Sequence, residues 1–157
     1  MHLKMDSNGH FSPLAAPDQC PISLRRGGGA ATLAPMNPAI RFVDPAAEYY
    51  FAEGCHVLEL ANVPDDPDCS VARARVAPGT TTRWHRLDGV AERYVLLAGR
   101  GRAEIGELPP RDVGPGDVVL IPPGCRQRIA NVGPDDLVFL AVCTPRFRPA
   151  CYVDAED

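Results

Sequence analysis

In the stretch GTTTRWHRLDGVAERYVLLAG, Gly79 to Gly99, two runs of alternating side chains flank the turn Asp88-Gly89-Val90-Ala91. Successive side chains on a strand point to opposite faces, so Arg83, His85 and Leu87 share one side while Trp84 and Arg86 take the other. In the second run Glu92, Tyr94 and Leu96 fall together. The Asp-Gly pair between them suits a tight turn, because Gly accepts positive φ without steric cost. This grammar is strand, turn, strand, and it repeats along the chain.

Working outward, CHVLELAN (55–62), SVARARV (70–76), RAEIG (102–106), VVLIP (118–122), CRQRIANV (125–132) and LVFLAVCTP (137–145) read as further strands. The breakers VPDDPD, ELPPRDVGPG, PPG and GPDD separate them. About eight short strands at regular spacing point to an all-β sandwich or barrel. Composition agrees: Pro 17 and Gly 14 make 31 of 157 residues, well above the usual share of about 12%. A helical bundle is excluded because each interior Pro costs about 3 kcal/mol. In CRQRIAN, Gln127, Ile129 and Asn131 oppose Arg126 and Arg128. In SVARARV, Arg73 and Arg75 lie opposite Ala72, Ala74 and Val76, as a solvent-facing pair would.

Two gapped patterns run through this region. The first is Gly79, five residues, His85, Arg86, Leu87, four residues, Glu92, six residues, Gly99. The second is Gly116, five residues, Pro122, Pro123, Gly124, two residues, Gln127, three residues, Asn131. Their spacing resembles the cupin motifs G-x5-H-x-H-x3,4-E-x6-G and G-x5-P-x-G-x2-H-x3-N at every step. The likeness extends from about Cys55 to Pro145. It implies a double-stranded β-helix, or jelly-roll barrel, with a pocket inside.

In metal-binding cupins the two His and the Glu of the first motif, with the His of the second, hold one metal ion. Here Leu87 and Gln127 stand at two of those positions. The set the resemblance leaves is His85, Glu92 and Gln127, a weak site for a divalent ion such as Zn, Fe, Mn or Ni that water or substrate would complete. An amide oxygen ligates weakly and Leu cannot ligate at all. Two blander readings stand beside it: Gln127 as a hydrogen-bonding substitute, and His85 as a buried core residue paired with Glu92. Cys125 shares the parity of Gln127 and reads as a rim residue or an inert thiol, and His56 as surface or structural.

For activity the resemblance implies a range of reactions. With a metal, the site is a Lewis acid for a substrate carboxylate or enolate. Without one, Glu92 serves as general base and His85 as general acid, with Tyr94 and Gln127 orienting the substrate. Lyase, isomerase or hydrolase chemistry on a small polar or carboxylate metabolite is expected ahead of oxygen activation, which leans on two His and one carboxylate. The competing expectation is a non-catalytic module that holds a small ligand for storage or sensing.

The remaining expectations concern organisation. Residues 1–38, rich in Pro and Gly and without sustained alternation, read as a flexible tail or an arm swapped between subunits; 39–150 form the barrel and 151–157 a C-terminal tail. A helical turn is expected from Pro45. A swapped arm would cover sheet edges, and Arg126 and Arg128 could serve a subunit contact, so a homodimer is expected. The net charge of −4 argues against nucleic acid as a partner. No run suits a membrane span or a secretory signal, which points to the cytoplasm. The six cysteines, without a CxxC, read as reduced thiols.

Overall fold

The computed structural model describes residues 37–156, and before them two short strands, β1 (Leu3–Met5) and β2 (Phe11–Pro13), which pair antiparallel. The rest of the segment expected as a tail or swapped arm lies outside the described residues.

From Tyr49 onward the chain forms two antiparallel sheets. The larger runs β10 (Val118–Ile121), β7 (Ala91–Ala98), β12 (Leu137–Thr144), β5 (Ser70–Val76), β4 (Cys55–Ala61) and β3 (Tyr49–Phe51). The smaller runs β13 (Tyr152–Asp154), β6 (His85–Leu87), β11 (Gln127–Asn131), β8 (Gly101–Ile105) and β9 (Arg111–Val113). The alternation read from the sequence decides what faces inward. Ala74, Val76, Tyr94, Leu96, Ile129, Leu137 and Phe139 are all buried. Each large member is worth about 1.5–3 kcal/mol in apolar surface removed from water.

Two motif residues have structural work. Gly99 adopts φ +81°, and a Cβ there would sit 2.5 Å from the carbonyl oxygen of Asp136 and 2.8 Å from the Cα of Leu137. Only Gly lets β7 end against that turn. Asn131 closes β11 by donating through Nδ2 to the carbonyls of Val76 and Asp135, both at 2.8 Å, while its Oδ1 accepts from Gly133 N at 2.9 Å.

Three expectations need correction. TTTRWHRL is strand only from His85; before it Thr81 makes an isolated bridge to Ala130, and the Thr82 hydroxyl takes the Ile129 N–H at 3.0 Å. A side chain thus replaces a ladder bond there. The breaker ELPPRDVGPG contains β9, which pairs with β8. Residues 151–157 are no tail, because Tyr152–Asp154 form β13 against β6.

Other readings find their partners. The turn at Pro45 is a 3-10 helix, Pro45–Ala47, capped by the Asp44 carboxylate on Ala46 N. Arg73 and Arg75 lie on the outer face of β5, where both meet Glu48, at 3.2 and 2.5 Å. Arg126 and Arg128 each lie 4.4 Å from the ring centre of Trp84. His56 meets Tyr50 edge-on. The five cysteines among the described residues are free thiols. No helix among the described residues is long and apolar enough to cross a membrane.

Candidate active site

The polar interior joins the two sheets. Glu92 comes from β7 in the larger sheet and Gln127 from β11 in the smaller, and both are buried. Gln127 Nε2 donates to Glu92 Oε2 at 2.7 Å across the barrel. The thiol of Cys143 on β12 lies 3.7 Å from the other carboxylate oxygen. The acceptor of Gln127, Oε1, is buried and has no partner among the described residues.

His85 sits beside Gln127 in the smaller sheet, as its register partner. It is buried, and its ring stacks on Tyr152 of β13 at 5.2 Å between centres. Its Nδ1 lies 3.0 Å from the Arg83 carbonyl. A carbonyl only accepts, so Nδ1 carries a proton. The other nitrogen, Nε2, reaches Glu53 Oε2 at 3.4 Å. This contact sets the imidazole directly behind the Glu53 carboxyl.

Sequence reasoning missed Glu53. It lies in the tight turn between β3 and β4, whose local pattern carries no catalytic signature. Its backbone carbonyl accepts from Arg83 N at 2.7 Å, which ties the turn to the segment entering β6 and sets the side chain against His85. The other oxygen of Glu53 accepts from the Cys55 thiol at 3.0 Å. An acidic residue one position before a Gly turn was the available signal, and many surface turns carry the same one.

Beside this network a cleft opens, with about 520 Å³ of atom-free space counting its mouth. Glu53, Glu92 and Tyr94 line it, with Phe51, Phe139 and Phe147 among its walls. His85 and Gln127 stand behind, acting on the cleft through the two glutamates. Burial pushes the Glu92 carboxyl up to about 7, and the negative charge of Glu53 adds to this; His85 and the bonds from Gln127 and Cys143 pull the other way. Desolvation outweighs the bonds because a carboxylate loses more hydration than two donors return. The Tyr94 phenol, also buried, is raised well above its ordinary range and remains a hydrogen-bond donor.

The same architecture occurs in proteins of known structure. A double-stranded β-helix protein from Klebsiella pneumoniae matches with TM-score 0.59 and 18% identity, over 71% of this chain and 93% of that one. KdgF from a Halomonas species matches with TM-score 0.58 and 19% identity, over 68% and 95%. A Streptomyces Pac13 variant solved with uridine matches with TM-score 0.61 and 17% identity, over 77% and 93%; Pac13 is described as a nucleoside dehydratase. No curated protein matches the sequence. The family model for the cupin domain matches residues 72–143. That segment, nearly half of the chain, is a cupin domain.

As a cupin it raises the question of a metal. Gln127 presents its N–H to Glu92, and amide hydrogens repel a cation where the oxygen would be needed. His85 Nε2 faces Glu53, and Leu87 adds hydrocarbon. Among the described residues no three His, Cys, Asp or Glu side chains are grouped to hold an ion. As arranged, Gln127 and Glu92 satisfy each other through an amide–carboxyl hydrogen bond, and ligation by Gln127 would need the amide turned over.

Proposed function

We propose that this cupin binds a small polar molecule in its barrel cleft and exchanges a proton with it through Glu92, in lyase, isomerase or hydrolase chemistry. The observation that carries this is the Glu92 carboxyl. It is held across the barrel by Gln127, bordered by Glu53, and open to the cleft beside Tyr94. A group of this kind works best when its proton affinity lies near the working pH, and Glu92 is pushed to about 7. Tyr94 donates a hydrogen bond to the bound molecule. His85 positions Glu53 from behind, 3.4 Å from its carboxyl.

The experiment is an NMR-monitored metabolite screen with wild-type protein and Glu92→Gln. Compounds that shift the amides of Ala72, Ala74 and Ala141, which border the cleft, are then followed for turnover. The reading expects at least one compound consumed by the wild type and left intact by Glu92→Gln. Equal turnover by both proteins, or shifts confined to residues outside the cleft, overturn it. Binding at the cleft with no turnover in either protein selects the alternative, a storage or sensing module. The buried, unpartnered Gln127 Oε1 favours one further reading, a turned amide that ligates a divalent ion with His85 and Glu92. Stoichiometric zinc or manganese binding that is lost in both His85→Ala and Glu92→Ala would establish it.

A further inference from the structure

The side chains around the cleft are unbalanced in charge. Three carboxyl groups line it, Glu53, Glu59 and Glu92, and among the described residues no Lys, Arg or His side chain does. His85 stands behind Glu53, its Nε2 3.4 Å from the carboxyl. Glu92 lies beside them, and the exposed Glu59 accepts a bond from the Tyr49 hydroxyl at 3.3 Å. The nearby arginines do not reach inside. Arg73 and Arg75 leave β5 on the face opposite Ala72 and Ala74 and are held by Glu48. Arg93 leaves β7 on the face opposite Glu92 and bonds the Thr144 hydroxyl. Arg146 bonds Asn62 at 2.9 Å.

The remaining walls are aromatic. Phe51, Phe139, Phe147 and Tyr94 face the same space, with Tyr94 and Phe139 in contact at 4.4 Å between ring centres. Ring faces are electron-rich and attract a cation whose water has been removed. The hydrocarbon of a ligand meets the ring carbons, and its charge meets carboxylates. An anion would instead stand among groups of its own sign, with no basic side chain among the described lining residues to pair it.

We infer that the cleft selects a compact organic cation, an alkylammonium group, over neutral and anionic molecules of the same shape. This rests on reading the cleft as a binding site and names its ligand class. It also excludes the carboxylate metabolite expected from the sequence.

The test uses one hydrocarbon body with three head groups: tert-butylammonium chloride, tert-butanol and sodium pivalate, each titrated into the full chain at pH 7.5 and matched ionic strength. The amides of Ala72, Ala74 and Ala141 report binding. The ammonium is expected to saturate these shifts at least about tenfold more tightly than the alcohol, the scale of a desolvated cation on aromatic faces, and pivalate to leave them unmoved. Glu59→Gln and Glu92→Gln should each narrow that preference, and Glu59→Gln, a rim change, leaves the buried network in place. Alcohol or pivalate binding at the cleft as tightly as the ammonium overturns the inference and leaves the cleft a binding site. If none of the three moves these amides, the inference falls, and the metabolite screen decides separately whether the cleft binds anything.

Discussion

Replacing Glu92 with Gln should make this protein more stable above neutral pH. The substitution keeps the shape and an acceptor for the Gln127 N–H while removing the ability to ionise. In the folded protein the carboxyl is raised from its ordinary 4.5 to about 7, an interval worth about 3 kcal/mol at about 1.4 kcal/mol per pH unit. Below 4.5 both folded and unfolded chains hold the proton. Between 4.5 and 7 only the folded chain holds it, so stability falls as pH rises through that window and is level above it. Glu92→Gln lacks this fall. The difference in unfolding free energy between variant and wild type should therefore grow by about 2.5 kcal/mol from pH 5 to pH 8. That corresponds to roughly 5–10 °C in melting temperature for a chain of this size. Urea titrations of both proteins at several pH values measure it, and other titrating groups cancel in the difference. A difference that stays constant with pH would mean the carboxyl is ionised in the fold from the start, and the reasoning from burial would fail.

Glu53→Gln removes the negative charge that helps hold the Glu92 proton, so the Glu92 midpoint, followed by carbon-13 NMR of its carboxyl, should move down from about 7; a midpoint that stays or rises contradicts the placement of Glu53. Gly99→Ala forces a Cβ into the Asp136–Leu137 backbone at positive φ and should cost about 1–3 kcal/mol in urea unfolding; a cost under about 0.5 kcal/mol would count against the tight turn. Trp84→Ala takes the ring from under Arg126 and Arg128 and should cost roughly 1 kcal/mol, a loss that should be absent once both arginines are already replaced by Ala.

Much of the barrel was legible before any coordinates. Period 2 sorted His85 from Trp84, Glu92 and Tyr94 from Arg93, and Gln127 from Arg126, because a strand side chain has only two directions to take. The strands that escaped notice are those whose identity comes from their neighbours. β9 lies among prolines and β13 in a short terminal segment, and each is a strand because an open edge of the smaller sheet accepts its backbone. Segment 81–84 fails as a strand for the converse reason, since the Thr82 hydroxyl takes the bond a ladder would have made.

The site divides along the same line. That Glu92 and Gln127 point inward follows from alternation within single strands, and the chemistry of carboxyl and amide from residue type alone. That the two meet, 2.7 Å apart and from opposite sheets, depends on how the sheets close over one another. Glu53 belongs wholly to tertiary structure: it is brought to His85 by a backbone bond between a turn and a segment about thirty residues later. Local sequence determines direction and chemistry, because those depend on a residue and its nearest neighbours. Proton affinity and ligand charge depend on what surrounds a group in space, and only the folded barrel decides that.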